Sequence, residues 1–231
     1  MCGRYSVAIS VKDKKNKASK VTRLLEDFQA TARYNAAPSQ LLPVVTADEP
    51  EKLQLFSWGL LPNWASDRNN TNKPINARAD TLLEKPSFRE LISRRRCLVP
   101  ADGFYEWRKT ATGKVPYRFL LKNEGLFSFA GLWDEWTDSE TGEVTDSFAI
   151  ITTEANALVK PTHDRMPVIL TPDAEAAWLN VTKDSNLLLD LLQPFPADKM
   201  KSNPVSALVN STANDGPQLT VPVAEQGSLF G

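Results

Sequence analysis

Cys97-Leu98-Val99-Pro100-Ala101-Asp102-Gly103-Phe104-Tyr105-Glu106-Trp107-Arg108 contains two extended segments, 97–100 and 104–108, split by Ala101-Asp102-Gly103. Aromatic and β-branched residues suit a pleated surface, whereas Asp-Gly favours a break. The same rhythm continues downstream. Turn signals at Thr112-Gly113, Asn123-Glu124-Gly125 and Thr141-Gly142 separate further strand candidates, and 147–153 is a strong one. Upstream, residues 3–11 alternate loosely as a first strand, and 41–47 and 52–61 read as two more. Val21, Leu24, Leu25 and Phe28 recur at helical spacing, so a helix is expected over about 19–32, after a Lys-rich connection at 12–20. Pro86 opens a short helix with Phe88, Leu91 and Ile92 inward. Thr171-Pro172 starts another carrying Trp178 and Leu179, a further helix covers about 184–193, and 204–209 is expected as a last strand. Helices fall between and after strands without βαβ alternation. The expected class is therefore α+β, one domain of twisted, mostly antiparallel β-sheets with flanking helices, over residues 2–222 with a flexible tail at 223–231.

The 231 residues, 42% hydrophobic and 24% charged, supply ample material for one core. No apolar run approaches a membrane span of about 20 residues, and no apolar stretch after Met1 resembles a signal peptide. Two cysteines build no disulfide framework, so a reducing cytoplasm is expected. Two cysteines and one histidine exclude a Cys₂His₂ or Cys₄ zinc site, and no metal or organic cofactor is indicated. The net charge of −1 hides polarity along the chain: residues 68–118 hold 12 Lys and Arg against 5 Asp and Glu. A basic middle is compatible with a phosphate-binding surface. The triplet Arg94-Arg95-Arg96 reads equally as a solvated helix end, where cations suit the macrodipole. Residues 66–74 are polar, aperiodic and expected as an exposed loop.

Several groups carry chemistry. Removal of Met1 would leave Cys2 with a free α-amine beside its thiol. An α-amine has a pKa of about 7.7–8.0, so part of it is nucleophilic at neutral pH. A 1,2-aminothiol takes an aldehyde first as a Schiff base and then closes a five-membered thiazolidine. By position alone, Cys2 is equally the second residue of an ordered strand. His163, the only histidine, lies in the polar stretch Pro161-Thr162-His163-Asp164-Arg165-Met166-Pro167, and an imidazole is the side chain type suited to proton transfer at neutral pH. Glu106, between Tyr105 and Trp107, is either a rim carboxylate or a partly desolvated proton carrier. Asn76 and Arg78 share one face of an extended segment, offering an amide and a phosphate-matching fork; the plainer reading is a structural Asn and a surface ion pair.

Taken together, six motifs in order resemble the SRAP family (SOS response-associated peptidase, abasic-site processing proteins). They are Met1-Cys2-Gly3-Arg4-Tyr5, Arg33-Tyr34-Asn35-Ala36-Ala37-Pro38, Trp58-Gly59-Leu60-Leu61-Pro62 with Trp64, Ile75-Asn76-Ala77-Arg78-Ala79-Asp80, Ala101-Asp102-Gly103-Phe104-Tyr105-Glu106-Trp107 and His163-Asp164-Arg165-Met166-Pro167. Asp80 stands where the family commonly has glutamate. The resemblance implies sheets around a basic groove and a sensor that binds single-stranded DNA and crosslinks to an abasic site. It implies that Cys2 is the nucleophile, Glu106 and His163 move protons, and Asn76 holds the thiazolidine. Arg4, Arg78, Lys85 and Arg165 would grip the DNA backbone, while Pro38 and Trp64 would offer apolar surface to the bases, where stacking is worth roughly 1–3 kcal/mol per base. It further implies removal of Met1 by the protein itself, lyase activity, and shielding of the lesion during the DNA damage response.

The tail sequence Gln226-Gly227-Ser228-Leu229-Phe230 resembles the short peptide by which bacterial repair proteins dock on the sliding clamp, and the protein itself is expected as a monomer. Two other readings stay open: a cysteine peptidase using Cys2, His163 and Glu106 on proteins, and a non-covalent single-strand binding module.

Overall fold

In the computed structural model, which describes residues 2–8, 20–27, 32–111, 113–180 and 185–224, five strands pair into a closed ring and five others form a second sheet. In chain order the strands are β1 (Tyr5–Val7), β2 (Arg33–Ala36), β3 (Leu41–Thr46), β4 (Gln54–Trp58), β5 (Asn76–Arg78), β6 (Arg96–Ala101), β7 (Gly103–Thr110), β8 (Gly113–Leu121), β9 (Phe127–Thr137), β10 (Val144–Glu154), β11 (Arg165–Pro167), β12 (Ile169–Leu170) and β13 (Met200–Pro204). The ring runs β10-β4-β3-β6-β9 and closes through β9–β10. Its pairs are antiparallel except β4–β10, and closure removes the exposed edges that open sheets carry. β5 joins β10 in parallel, and β11 pairs the far half of β10. The second sheet is β13-β8-β7-β1-β2. The α+β expectation with mostly antiparallel sheets holds.

Aromatic side chains lock the two layers together. Tyr5 of β1 meets Trp58 and Phe129 edge-on at centroid distances of 5.2 and 5.8 Å, and Phe104 of β7 stacks on Phe119 at 5.1 Å and meets Phe129 at 6.2 Å. Such pairs contribute about 0.5–1.5 kcal/mol each beyond area burial. The N-terminal strand is therefore a core element, held between β2 and β7.

The helices are short: Lys20–Asp27, Pro86–Arg89, Leu91–Arg94, Pro172–Leu179 and Ser185–Asp190. In Lys20–Asp27, Val21 and Leu25 are buried as their spacing predicted, whereas Phe28, like residues 9–19 and the start of the helix expected at 184–193, lies outside the described residues. Thr171 caps Pro172–Leu179 by accepting the Ala174 amide at 3.3 Å. No helix among the described residues is long and apolar enough to cross a membrane.

Two expectations are corrected. The last strand is β13, ending at Pro204, not 204–209. Val205 and Val209 are both buried, and the chain between them forms a 3₁₀ turn, Ala207–Asn210, started by Ser206 accepting the Leu208 amide at 3.3 Å. Alternation would bury Ala207 with them, but Ala207 is exposed. The arginine triplet is not uniformly solvated either. Arg96 is only 1% exposed, and its guanidinium donates to the carbonyls of Ile92, Trp178 and Asn180 at 2.7, 2.7 and 2.6 Å. It satisfies backbone acceptors that two helix ends leave open.

Candidate active site

Cys2 is positioned from both layers. On one side Tyr5 pairs with Ala36 of β2 and Phe104 of β7, and the Tyr105 amide donates to the Arg4 carbonyl at 2.9 Å. On the other, Asn76 Nδ2 donates to the Cys2 carbonyl at 2.9 Å. Asn76 is itself set by the tryptophan motif. Trp58 Nε1 donates to the Ile75 carbonyl at 2.9 Å and the Leu60 amide to the Pro74 carbonyl at 3.0 Å, while Gly59 turns the chain at a φ of 133° that favours glycine. Gly103 plays a matching part in the second sheet. An added Cβ there would lie 2.7 Å from Arg118 Nε, and Arg118 binds Asp102 at 3.1 Å and the Ser6 hydroxyl at 3.2 Å. Ala101-Asp102-Gly103 thus fastens β1 to β7.

The Cys2 side chain is fully buried, with Sγ 3.8 Å from the Arg4 carbonyl. Burial raises its thiol pKa, and the nearby charge of Glu106 raises it further, so the resting group is a neutral thiol. Glu106 on β7 is 5% exposed. Burial pushes its carboxyl above the ordinary range, opposed by the positive charge of the chain's amino terminus and of His163. Glu106 and His163 both line one cleft of about 550 Å³, with Trp107, Lys109, Lys114, Lys160, Pro161, Thr162 and Asp164. His163 Nδ1 lies 3.0 Å from the Arg165 amide nitrogen. Asp164 Oδ1 stands 2.8 Å from the same nitrogen. A separate cavity of about 430 Å³ beside Asp48, Arg95 and Asp134 contains none of the predicted site residues.

Cys2, Asn76, Glu106 and His163 therefore gather at the junction of the two layers. Asn76 Oδ1 is buried without a hydrogen-bond partner, leaving an acceptor for a bound group. The arginines divide by role. Arg165 is 8% exposed, donates to the Thr152 carbonyl at 2.6 Å and reaches Asp80 at 3.3 Å, with Nε unpartnered. Arg78 is exposed, and its fork closes on Asp80 at 3.1 and 2.6 Å. Arg4 Nη1 donates to Asn35 Oδ1 at 2.8 Å and the Val209 carbonyl at 2.7 Å, while Asn35 Nδ2 also reaches the Ser211 and Asn214 carbonyls at 2.9 and 2.8 Å. The Arg4–Asn35 pair thus clamps residues 209–214 to the N-terminal strand. Lys85 and Pro38 are exposed and Trp64 is 67% exposed, but none of the three lines the cleft. Sequence reasoning missed Thr152, whose buried Oγ1 lacks a partner and whose register neighbour is Arg78. A threonine inside a strand gives no sequence signal of its own.

The fold and site define an α+β protein in which Cys2 lies buried near a carboxylate that shares one cleft with a loop histidine. The chain belongs to the SOS response associated peptidase (SRAP) family, whose model matches residues 1–212. It is 43% identical over 222 residues to the Abasic site processing protein YoqW of Bacillus subtilis, covering 95% of this chain and 98% of that one. It is 32% identical to the Abasic site processing protein HMCES of Gallus gallus, covering 82% of this chain and 66% of that one. A crystal structure of a Bacteroides thetaiotaomicron protein superposes with a TM-score of 0.83 at 33% identity, covering 96% of this chain and all of that one.

Proposed function

We propose that this protein processes abasic sites, binding single-stranded DNA and capturing the ring-opened deoxyribose through Cys2. The observation that carries this reading is the fixed Cys2 backbone, held by Asn76 beside a buried Glu106 and His163. Cleavage of the Met1–Cys2 bond, proposed for the same site, frees the α-amine. The amine adds to the aldehyde carbon, and the resulting carbinolamine loses water to give an imine. The Cys2 sulfur then bonds to the imine carbon, and its proton passes to the nitrogen, closing a thiazolidine. The net change is loss of one water. Burial shifts the Glu106 carboxyl toward its neutral form, which suits it to donate to the departing hydroxyl, and a ring N–H of His163 is a second donor. Asn76 Oδ1 would accept from the ring N–H of the product.

The raised thiol pKa weighs against a peptidase acting on other proteins, because that chemistry needs a thiolate. An aldehyde trap begins with the amine and uses the thiol second. Lyase activity fits the same imine, since β-elimination from it cuts the strand unless the thiol closes the ring first. The tail peptide Gln226–Phe230, outside the described residues, would tether the protein to a sliding clamp at stalled forks, and a cytoplasmic, DNA-associated monomer fits this role.

The test is intact-mass analysis before and after mixing with single-stranded DNA bearing one abasic site. Loss of methionine, followed by a species of protein plus DNA minus one water without reductant, is the expected result. In the Cys2→Ala variant only a borohydride-trappable imine should remain. Protein lacking Met1 that forms no adduct would sink the proposal.

A further inference from the structure

The outer walls of the cleft carry three lysines that the capture chemistry does not use. Lys109 of β7 and Lys114 of β8 are direct register partners across the hairpin, and Lys160 lines the facing wall beside Pro161 and Thr162. All three are exposed, and none makes an ion pair with a carboxylate among the described residues. Like charges set directly opposite on an antiparallel pair are destabilising. A sequence that keeps such a pair beside a reactive site breaks a local rule, and such breaks concentrate at functional positions.

The walls are fixed relative to each other. Arg108 Nε donates to Thr162 Oγ1 at 3.3 Å, and its guanidinium lies 3.9 Å over the Tyr117 ring. The acidic groups on the cleft are Asp164, which is exposed and paired to His163, and Glu106, whose buried carboxyl is shifted toward its neutral form. The mouth thus holds three lysines against these two carboxylates, and a strand entering toward Glu106 passes between Lys160 and the hairpin.

We infer that Lys109, Lys114 and Lys160 form a phosphate track that takes the backbone of the single strand on one side of the lesion. This inference rests on the DNA-binding reading above and extends it to residues outside the six motifs. Lysine suits the task because its three-donor ammonium binds phosphate as a point charge without fixing base identity.

The experiment compares full-length wild type with the triple variant Lys109→Gln, Lys114→Gln, Lys160→Gln. Non-covalent binding to an intact oligothymidylate is measured across a salt series. Each neutralised phosphate contributes about 0.7 to the slope of log affinity against log salt on single strands, so the slope should fall by about 2. A Lys→Arg triple should keep the wild-type slope, and a control triple at Lys52, Lys122 and Lys199 should leave it unchanged. The thermal midpoint of the Gln triple should be equal or higher, because the Lys109–Lys114 repulsion is gone. An unchanged slope overturns the track. Adduct formation with an abasic strand is read in parallel. A wild type that forms no adduct but loses slope in the Gln triple strikes the capture chemistry and keeps the track, whereas a wild type that does not bind the intact strand overturns both.

Discussion

Asn76 on β5 donates its side-chain amide to the Cys2 carbonyl across 2.9 Å, joining a strand paired to the ring to the segment that leads into β1 of the other sheet. A residue 74 positions away in sequence thus fixes the group proposed to react. Asn76→Ala removes that bond and leaves a buried carbonyl without its donor, a loss of roughly 1–3 kcal/mol. Adduct formation should slow by about 10- to 100-fold in single-turnover assays, with the overall fold intact by circular dichroism. An unchanged rate would show that β1 alone sets the Cys2 position.

Asp80 neutralises two arginines at once. Its carboxyl is held down to about 2, chiefly by its hydrogen bond to Arg78, so it is ionised at every working pH. The pair is half exposed and adds little to stability. Asp80→Asn releases the Arg78 fork for phosphate, and affinity for single-stranded DNA at low salt should rise about 2- to 5-fold. A fall in affinity would mean that Asp80 is needed to orient Arg165.

Glu175 sits on the buried face of Pro172–Leu179, where burial lifts its carboxyl from 4.5 to about 7. The folded value exceeds the unfolded one, so the contribution to stability is complete below pH 4.5 and is lost as pH rises through 7. At pH 8 the buried charge costs on the order of 3 kcal/mol. Glu175→Gln should therefore raise the urea midpoint at pH 8 and change it little at pH 4. Equal effects at both pH values would contradict this account.

Arg96 serves three carbonyls from the core and lies 5.9 Å from the Trp178 ring. Arg96→Ala strands those acceptors and leaves a cavity, so unfolding free energy should drop by at least about 3 kcal/mol at constant m-value in urea. A loss below about 1 kcal/mol would mean that water replaces the guanidinium.

Much of the architecture was legible in residue pattern. Aromatic and β-branched runs bounded by turn residues gave β3, β6 and β7 nearly to their ends and most of β10, because residue type and Gly-containing turns are local signals, although burial along these strands runs continuously and does not alternate. The 3₁₀ turn at Ala207–Asn210 was misread because Pro204 to Val209 contains both an alternating and an i, i+4 apolar reading, and only packing chooses between them. Arg96 was indistinguishable from Arg94 and Arg95 in sequence, since burial of a guanidinium depends on which distant carbonyls surround it.

By itself, the sequence determined the residue types and the order of the motifs: a 1,2-aminothiol in waiting at Cys2, a carboxylate among aromatics at Glu106, and a lone histidine at position 163. Covalent chemistry is a property of the residue and is written in the chain. Only the tertiary structure decided that Asn76 grips the Cys2 carbonyl, that the Cys2 thiol is buried and neutral, that Arg4 is a clamp for residues 209–214, and that Lys109, Lys114 and Lys160 face one cleft. Those facts depend on distance and dielectric between segments far apart in sequence, which closure of the ring and packing of the second sheet set.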